Sequence, residues 1–154
     1  MIIQIDSREK AKAITKIISH FDKSNIKHIS SKLYVGDYCN MDNPHLIIDR
    51  KQALGEICSN VCQEHKRFTD ELIRANEAEI KLIILCEHGA GIKTLDDVQN
   101  WINPRLKISP LAVSGPRLYK ILLAMSKKYN VEFLFCTKAQ TGSEIIRLLS
   151  TEGK

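Results

Sequence analysis

Long apolar runs are absent from this 154-residue chain, and no stretch approaches the ~18 apolar residues that a membrane-spanning helix requires. A secretory leader is missing too, because Met1-Ile2-Ile3-Gln4-Ile5-Asp6 has no basic segment followed by an apolar one. Aromatic residues make up only 6%, with Trp101 the single tryptophan, so a platform for stacking single-stranded bases is not advertised. The five cysteines (Cys39, Cys58, Cys62, Cys86 and Cys136) are odd in number and scattered. That is the pattern of free thiols in a reducing cytosol, not of a disulfide framework. Internal repeats, low-complexity tracts and long linkers are also lacking. These absences exclude membrane and disulfide-stapled classes and predict one cytoplasmic domain spanning residues 1–154.

The remaining composition is that of an ordinary globular protein, with 44% hydrophobic and 27% charged residues. A chain of this length can bury a full core without staples. Its 23 basic and 18 acidic residues leave a net charge of +5, a mild preference for a polyanionic partner.

Hydrophobic spacing orders the chain. Ile2–Ile5 reads as a short buried strand, and Glu9–Phe21 as a helix with Ala13, Ile14, Ile17, Ile18 and Phe21 on one face. Ile26–Ile29 and Leu33–Tyr38 are strand candidates. Met41-Asp42-Asn43-Pro44 is turn chemistry, so Leu33–Lys51 reads as a β-hairpin whose second strand is His45–Lys51. Helices follow over Leu54–Val61 and Lys66–Asn76, and Lys81–Cys86 has the continuous apolar character of a central strand. Asp96–Trp101 is a short helix, Asn103–Ser114 a loop, and Ser114-Gly115-Pro116 a helix start. Val131–Cys136 and Gly142–Leu149 close the chain as strand and helix. Alternating strands and helices predict an α/β sandwich around a mixed sheet.

Chemistry concentrates in the first third, at Gly36-Asp37-Tyr38 and Asp49-Arg50-Lys51. Residues two apart on a strand share a face, so Asp49 and Lys51 point together while Arg50 points away. The predicted hairpin brings Asp37 beside Asp49. Two carboxylates can hold Mg²⁺, which polarises a phosphate and lowers the pKa of bound water. A neighbouring lysine adds positive charge for the attacking water or the phosphoryl oxygens. Alone, an Asp-x-Lys at a strand end is equally the pattern of a solvated edge.

Three blocks in order lift the pattern above that reading. Ile5-Asp6-Ser7-Arg8-Glu9, Val35-Gly36-Asp37-Tyr38 and Asp49-Arg50-Lys51 resemble the nuclease domain of the XPF family of structure-specific endonucleases, within the PD-(D/E)XK superfamily. The family's Glu-Arg-Lys stands here as Asp49-Arg50-Lys51, one methylene shorter. The resemblance is strong over Met1 to roughly Cys86 and coarse beyond it. It implies a restriction-endonuclease-like three-layer sandwich, and a Mg²⁺- or Mn²⁺-dependent DNA endonuclease acting on branched or junction DNA. Asp37, Asp49 and Asp6 would be metal ligands, Lys51 a catalytic residue, and Arg8 and Arg67 substrate contacts. A homodimer, or a separate chain supplying DNA binding, is implied as partner. The chain has no room for a tandem helix-hairpin-helix domain, which suggests a phage or mobile-element version acting in a bacterial or phage-infected cytoplasm.

Other positions keep two readings each. Asp6 is either a third metal contact or the cap of the following helix. Arg8 grips a phosphate or pairs with an acid such as Glu9 or Glu56. Glu9 is either a site residue or a helix N-terminal acid. The family's aspartate four residues after the lysine falls on Gly55, with Glu56 one residue later. Glu71 stands where the family has glutamine and is not counted as catalytic. Arg50 is expected to be pinned in an internal ion pair. Cys58, Cys62 and His65 have helical spacing, more often a core face than a zinc site. The loop carrying Arg105 and Lys107 either tracks a DNA backbone or is simply solvated.

Overall fold

The sheet at the centre of the molecule is mixed, and its two faces are covered by separate helical layers. The structure is a computed structural model that describes residues 1–151. Six strands are present: β1 (Ile2–Ile5), β2 (Lys27–Ser30), β3 (Tyr38–Asn40), β4 (Asn43–Lys51), β5 (Lys81–Cys86) and β6 (Glu132–Phe135). Their order is β2-β1-β3-β4-β5-β6. β3 runs antiparallel to both β1 and β4, while the β1–β2, β4–β5 and β5–β6 pairs are parallel. Five α-helices connect them: α1 (Thr15–Lys23), α2 (Leu54–Cys62), α3 (His65–Glu77), α4 (Gly115–Tyr129) and α5 (Thr141–Leu149).

Strand alternation divides the core in two. On one face Ile47, Leu82, Ile84 and Phe133 pack with Leu54, Ile57, Phe68, Leu72, Leu118 and Leu122 from α2, α3 and α4. On the other, Ile3, Ile5, Ile48, Ile83 and Leu85 pack with Ile17, Phe21, Ile145 and Leu148 from α1 and α5. β5 contributes to both faces from successive residues, which is why its sequence is apolar without interruption. The expected three-layer α/β sandwich is therefore the architecture.

Several element boundaries differ from the sequence expectation, and two of them bear on the site. Of the predicted Leu33–Tyr38 strand only Tyr38 is in a strand, which runs on to Asn40. The backbone before it is tied to side chains instead of a ladder: the Leu33 N–H donates to Asp6 Oδ1, and Arg8 Nη2 donates to the Leu33 carbonyl. The predicted Glu9–Phe21 helix begins with a 3-10 turn at Ala11–Ile14, and α1 proper starts at Thr15. Glu9 is held outside that helix because its carboxylate is claimed by Tyr38 and Arg50.

Candidate active site

The bend between Val35 and Tyr38, just before β3, sets the geometry. Gly36 has φ +70, and a Cβ there would stand 2.5 Å from Ile47 Cγ2 and 3.1 Å from the Ile48 carbonyl oxygen. Glycine is required for the left-handed backbone and again for the close approach to β4. Immediately beyond it, Asp37 is clamped by three bonds. Its N–H donates to the Ile48 carbonyl at 2.8 Å, and its carbonyl accepts the Asp6 N–H at 2.8 Å. Its Oδ2 accepts the Arg50 N–H at 2.8 Å.

Tyr38 pairs with Ile48 in the antiparallel ladder, which carries Asp37 past the end of β3 to lie against Asp49. Asp49 and Lys51 project from the Ile47 face of β4, toward α2 and α3, as alternation predicts. Lys51 Nζ lies 3.3 Å from Asp49 Oδ2, and both side chains are almost wholly buried. Asp49 Oδ2 is nevertheless without a hydrogen-bond partner, one of three such buried side-chain atoms among the described residues. An oxygen orphaned of hydrogen bonds in this way, with the Lys51 ion pair beside it, keeps lone pairs open to a further ligand.

Electrostatics follow from this crowding. Burial, then the neighbouring charge of Asp49, raises the Asp37 carboxyl to about 10. Glu71, from α3, is raised by burial and by Asp49, partly offset by Lys51 and by the Gly36 N–H. Burial alone would lower Lys51, but Asp49, Glu56, Glu71 and Asp37 outweigh it and hold the ammonium protonated. The Lys51 charge also sits 5.7 Å from the centroid of the Phe68 ring. The constellation is thus three acids around one lysine, with Glu56 at its rim. Glu56 Oε1 accepts the Gln52 N–H at 2.8 Å, closing the turn into α2.

The three-acid ligand set of Asp37, Asp49 and Asp6 is not assembled. Asp6 accepts four internal bonds: from the Arg8 N–H, Arg8 Nε, Arg8 Nη2 and the Leu33 N–H. Burial would raise its carboxyl, but Arg8 and the Leu33 N–H overcome that and hold it low. Among the described residues no group of three or more His, Cys, Asp or Glu is arranged to hold a metal ion. Asp6 therefore positions Asp37 and the 33–36 segment from behind, and it caps neither the 3-10 turn nor α1, whose N-cap residues are Lys10 and Ile14. The Asp37–Asp49 pair remains the part fitted to a cation.

Arg8 pairs with Asp6 at 2.7 Å, not with Glu9 or Glu56, and stays 62% exposed on the rim near Asp37 and Glu71. Arg67 is exposed on α3, in an open cavity with Gln63, Glu64, Lys66, Asp70 and Arg74. It stands one helical turn before Glu71 on the same side of α3, at the exposed start of the helix, while Glu71 lies within reach of Asp49 and Lys51. Glu71 is the residue that family spacing pointed to and the expected amide obscured.

Arg50 occupies the opposite sheet face. Its Nε donates to Glu9 Oε2 at 2.8 Å and its Nη1 to Glu87 Oε1 at 2.6 Å. Tyr38 Oη donates to Glu9 at 2.8 Å, and Thr141 Oγ1 to Glu87 at 2.6 Å. The expected internal pair is thus a network joining β1, β3, β4, β5 and α5. Glu87 was missed, although an acid directly after the apolar Lys81–Cys86 run is its signal. Of the two α2 cysteines, Cys58 is half-buried and packs against the core, as the core-face reading expects, whereas Cys62 is exposed.

Two solved structures share the fold. "XPF from Aeropyrum pernix" aligns with TM-score 0.68 at 18% identity, over 97% of this chain and 63% of that one. "XPF from Aeropyrum pernix, complex with DNA" aligns with TM-score 0.65 at 18% identity, over 96% of this chain and 62% of that one. The chain thus spans less than two thirds of the structures it resembles. No curated protein matches it. The ERCC4 domain model matches residues 5–149, nearly the whole length and all of the site just described, and the chain belongs to the ERCC4 domain family.

Proposed function

We propose that this protein is a metal-dependent DNA endonuclease that hydrolyses phosphodiester bonds in branched or junction-containing DNA. The observation that carries the reading is the Asp37–Asp49 pair with its orphaned Oδ2, set 3.3 Å from the Lys51 ammonium at the end of β4. Asp37 and Asp49 would hold Mg²⁺ or Mn²⁺, hard cations that take carboxylate oxygens. When bound, the ion supplies Lewis-acid polarisation of the phosphate and a more acidic water. The like-charge strain that keeps Asp37 protonated is what a divalent cation relieves.

The chain's own groups supply the rest. Lys51 is held protonated, so it acts as a hydrogen-bond donor and a positive charge, not as a general base. Charge building on the phosphoryl oxygens is stabilised by that ammonium in a site shielded by Phe68. Arg8, exposed at the rim and fixed through Asp6, offers a planar fork to a flanking phosphate. Glu71, raised by burial and by Asp49, holds its proton more tightly than an ordinary glutamate and stands as the third acid of the site.

The DNA-complex structure that shares the fold concerns another protein, and it favours DNA as substrate here. A homodimer, or a partner chain that supplies DNA binding, belongs to the same proposal. The substrate test uses labelled flap, fork, four-way junction, linear duplex and single strand with Mg²⁺ or Mn²⁺, beside Asp49→Ala. Metal-dependent cutting of branched substrates, lost in the variant, is the expected result. Tight binding with no cutting of any substrate leaves a DNA-binding scaffold and ends the enzyme reading. Light scattering of the free chain tests the dimer.

A further inference from the structure

Directly behind the acid pair, through one sheet thickness, lies a second cavity with the opposite charge. It measures about 470 Å³ and is lined by Lys12, Lys16, Lys138, Gln52, Arg50 and Glu87, among others. Arg50 and Lys51 are successive residues on β4, so their side chains leave opposite faces of the sheet. The cavity and the acid pair thus share the same sheet end, and exposed Gln52 marks the edge between them.

The charge of this cavity comes from its rim. Arg50 is fully engaged by Glu9 and Glu87, and those three side chains sum to one negative charge. Glu87 is further occupied by Thr141. Lys12, Lys16 and Lys138 are all exposed, none is in an ion pair among the described residues, and together they turn the local balance to +2. Lys12 and Lys16 lie four residues apart, on one side of the 3-10 turn leading into α1, and Lys138 precedes α5. Three unpaired ammonium groups converging on one concave space lose stability through mutual repulsion, and an anion between them reverses that cost.

We propose that this cavity is a second phosphate site, which holds a backbone phosphate of the DNA strand after it crosses the sheet edge at Gln52. The strand would be gripped on one face by Arg8 and Lys51 and on the other by the three lysines. Two grips on opposite faces of a sheet force a bend between them. A flexible strand leaving a branch point accepts that bend more cheaply than continuous duplex does. The inference rests on the nuclease reading, and it adds the path of the strand and a reason for preferring branched substrates.

The test uses the wild-type chain with a forked oligonucleotide in EDTA, so that cutting plays no part. Lysine acetylation is read by mass spectrometry with and without DNA. Lys12, Lys16 and Lys138 are expected to be protected, while Lys23, Lys27 and Lys127 at the opposite sheet end stay reactive. Replacing all three cavity lysines by alanine should make the salt dependence of binding shallower by about one per lysine, up to about 3. The triple alanine variant at Lys23, Lys27 and Lys127 should change it far less. Equal protection of both sets, or equal loss of slope, overturns the second site while leaving the nuclease reading intact. A chain that binds no DNA overturns both, and a chain that binds with the expected protection but never cuts overturns only the nuclease reading.

Discussion

Replacing Gly36 with alanine tests whether the turn before Asp37 is the keystone of the site. Alanine at φ +70 costs ~1–2 kcal/mol from the left-handed backbone alone. Its Cβ would also lie 2.5 Å from Ile47 Cγ2 and 3.1 Å from the Ile48 carbonyl oxygen. That carbonyl cannot retreat freely, because it accepts the Asp37 N–H at 2.8 Å. Displacing Ile47 in a packed core adds ~1–3 kcal/mol, for a total of about 2–5 kcal/mol. With a urea slope of about 2 kcal/mol per M, a loss of ~3 kcal/mol moves the midpoint down by ~1.5 M. The companion Ile47→Ala removes the clashing methyl, so the two changes together should cost at least ~1 kcal/mol less than their sum. Cleavage should fall more than stability explains, since Asp37 shifts with the turn. A loss under ~1 kcal/mol, or strict additivity with Ile47→Ala, would refute the reasoning.

Asp37 itself predicts a pH dependence. Its folded value is raised to about 10, so its stability contribution is full below the ordinary aspartate range and is lost as pH climbs toward 10. In EDTA, Asp37→Asn should therefore raise the melting temperature more at pH 9 than at pH 5, by at least ~2–4 °C, while abolishing cutting. Calorimetry across that range decides it, and Mg²⁺ should narrow the difference. Lys51→Ala should lower the cleavage rate ~10²–10³-fold, with a much smaller loss of DNA affinity, read in single-turnover assays. Arg50→Ala strands Glu9 and Glu87 without a counter-charge and should cost ~3–5 kcal/mol in urea unfolding. Arg50→Lys should recover little of that, because one ammonium cannot bridge both carboxylates in the same geometry.

Much of this molecule is legible one residue at a time. Alternation along Ile47–Lys51 places Asp49 and Lys51 on one face and Arg50 on the other, because a strand admits no other arrangement. The unbroken apolar stretch Leu82–Cys86 announces a strand covered on both sides. The left-handed backbone at Gly36 was not legible, because Gly36 lay inside the expected Leu33–Tyr38 strand. The boundary of β3 was not legible, since Leu33–Val35 has strand-like composition while its backbone partners are the side chains of Asp6 and Arg8. Those residues lie some twenty-five positions upstream, beyond the reach of local propensity.

The sequence by itself determined the sandwich, the acid pair and the lysine between its helices, because period and motif are properties of neighbours along the chain. Tertiary structure alone decided the use of each remaining charge. Asp6 spends its oxygens on Arg8 and Leu33, and Glu71 is drawn into the acid cluster by burial beside Asp49. Glu87 arrives from another strand to hold Arg50. A carboxylate becomes a ligand or a brace according to which donors reach it, and those donors come from distant segments. Burial then sets the stakes: Asp49 Oδ2, held by the Lys51 ion pair but by no hydrogen bond, is costly only because β4, α2 and α3 close over it.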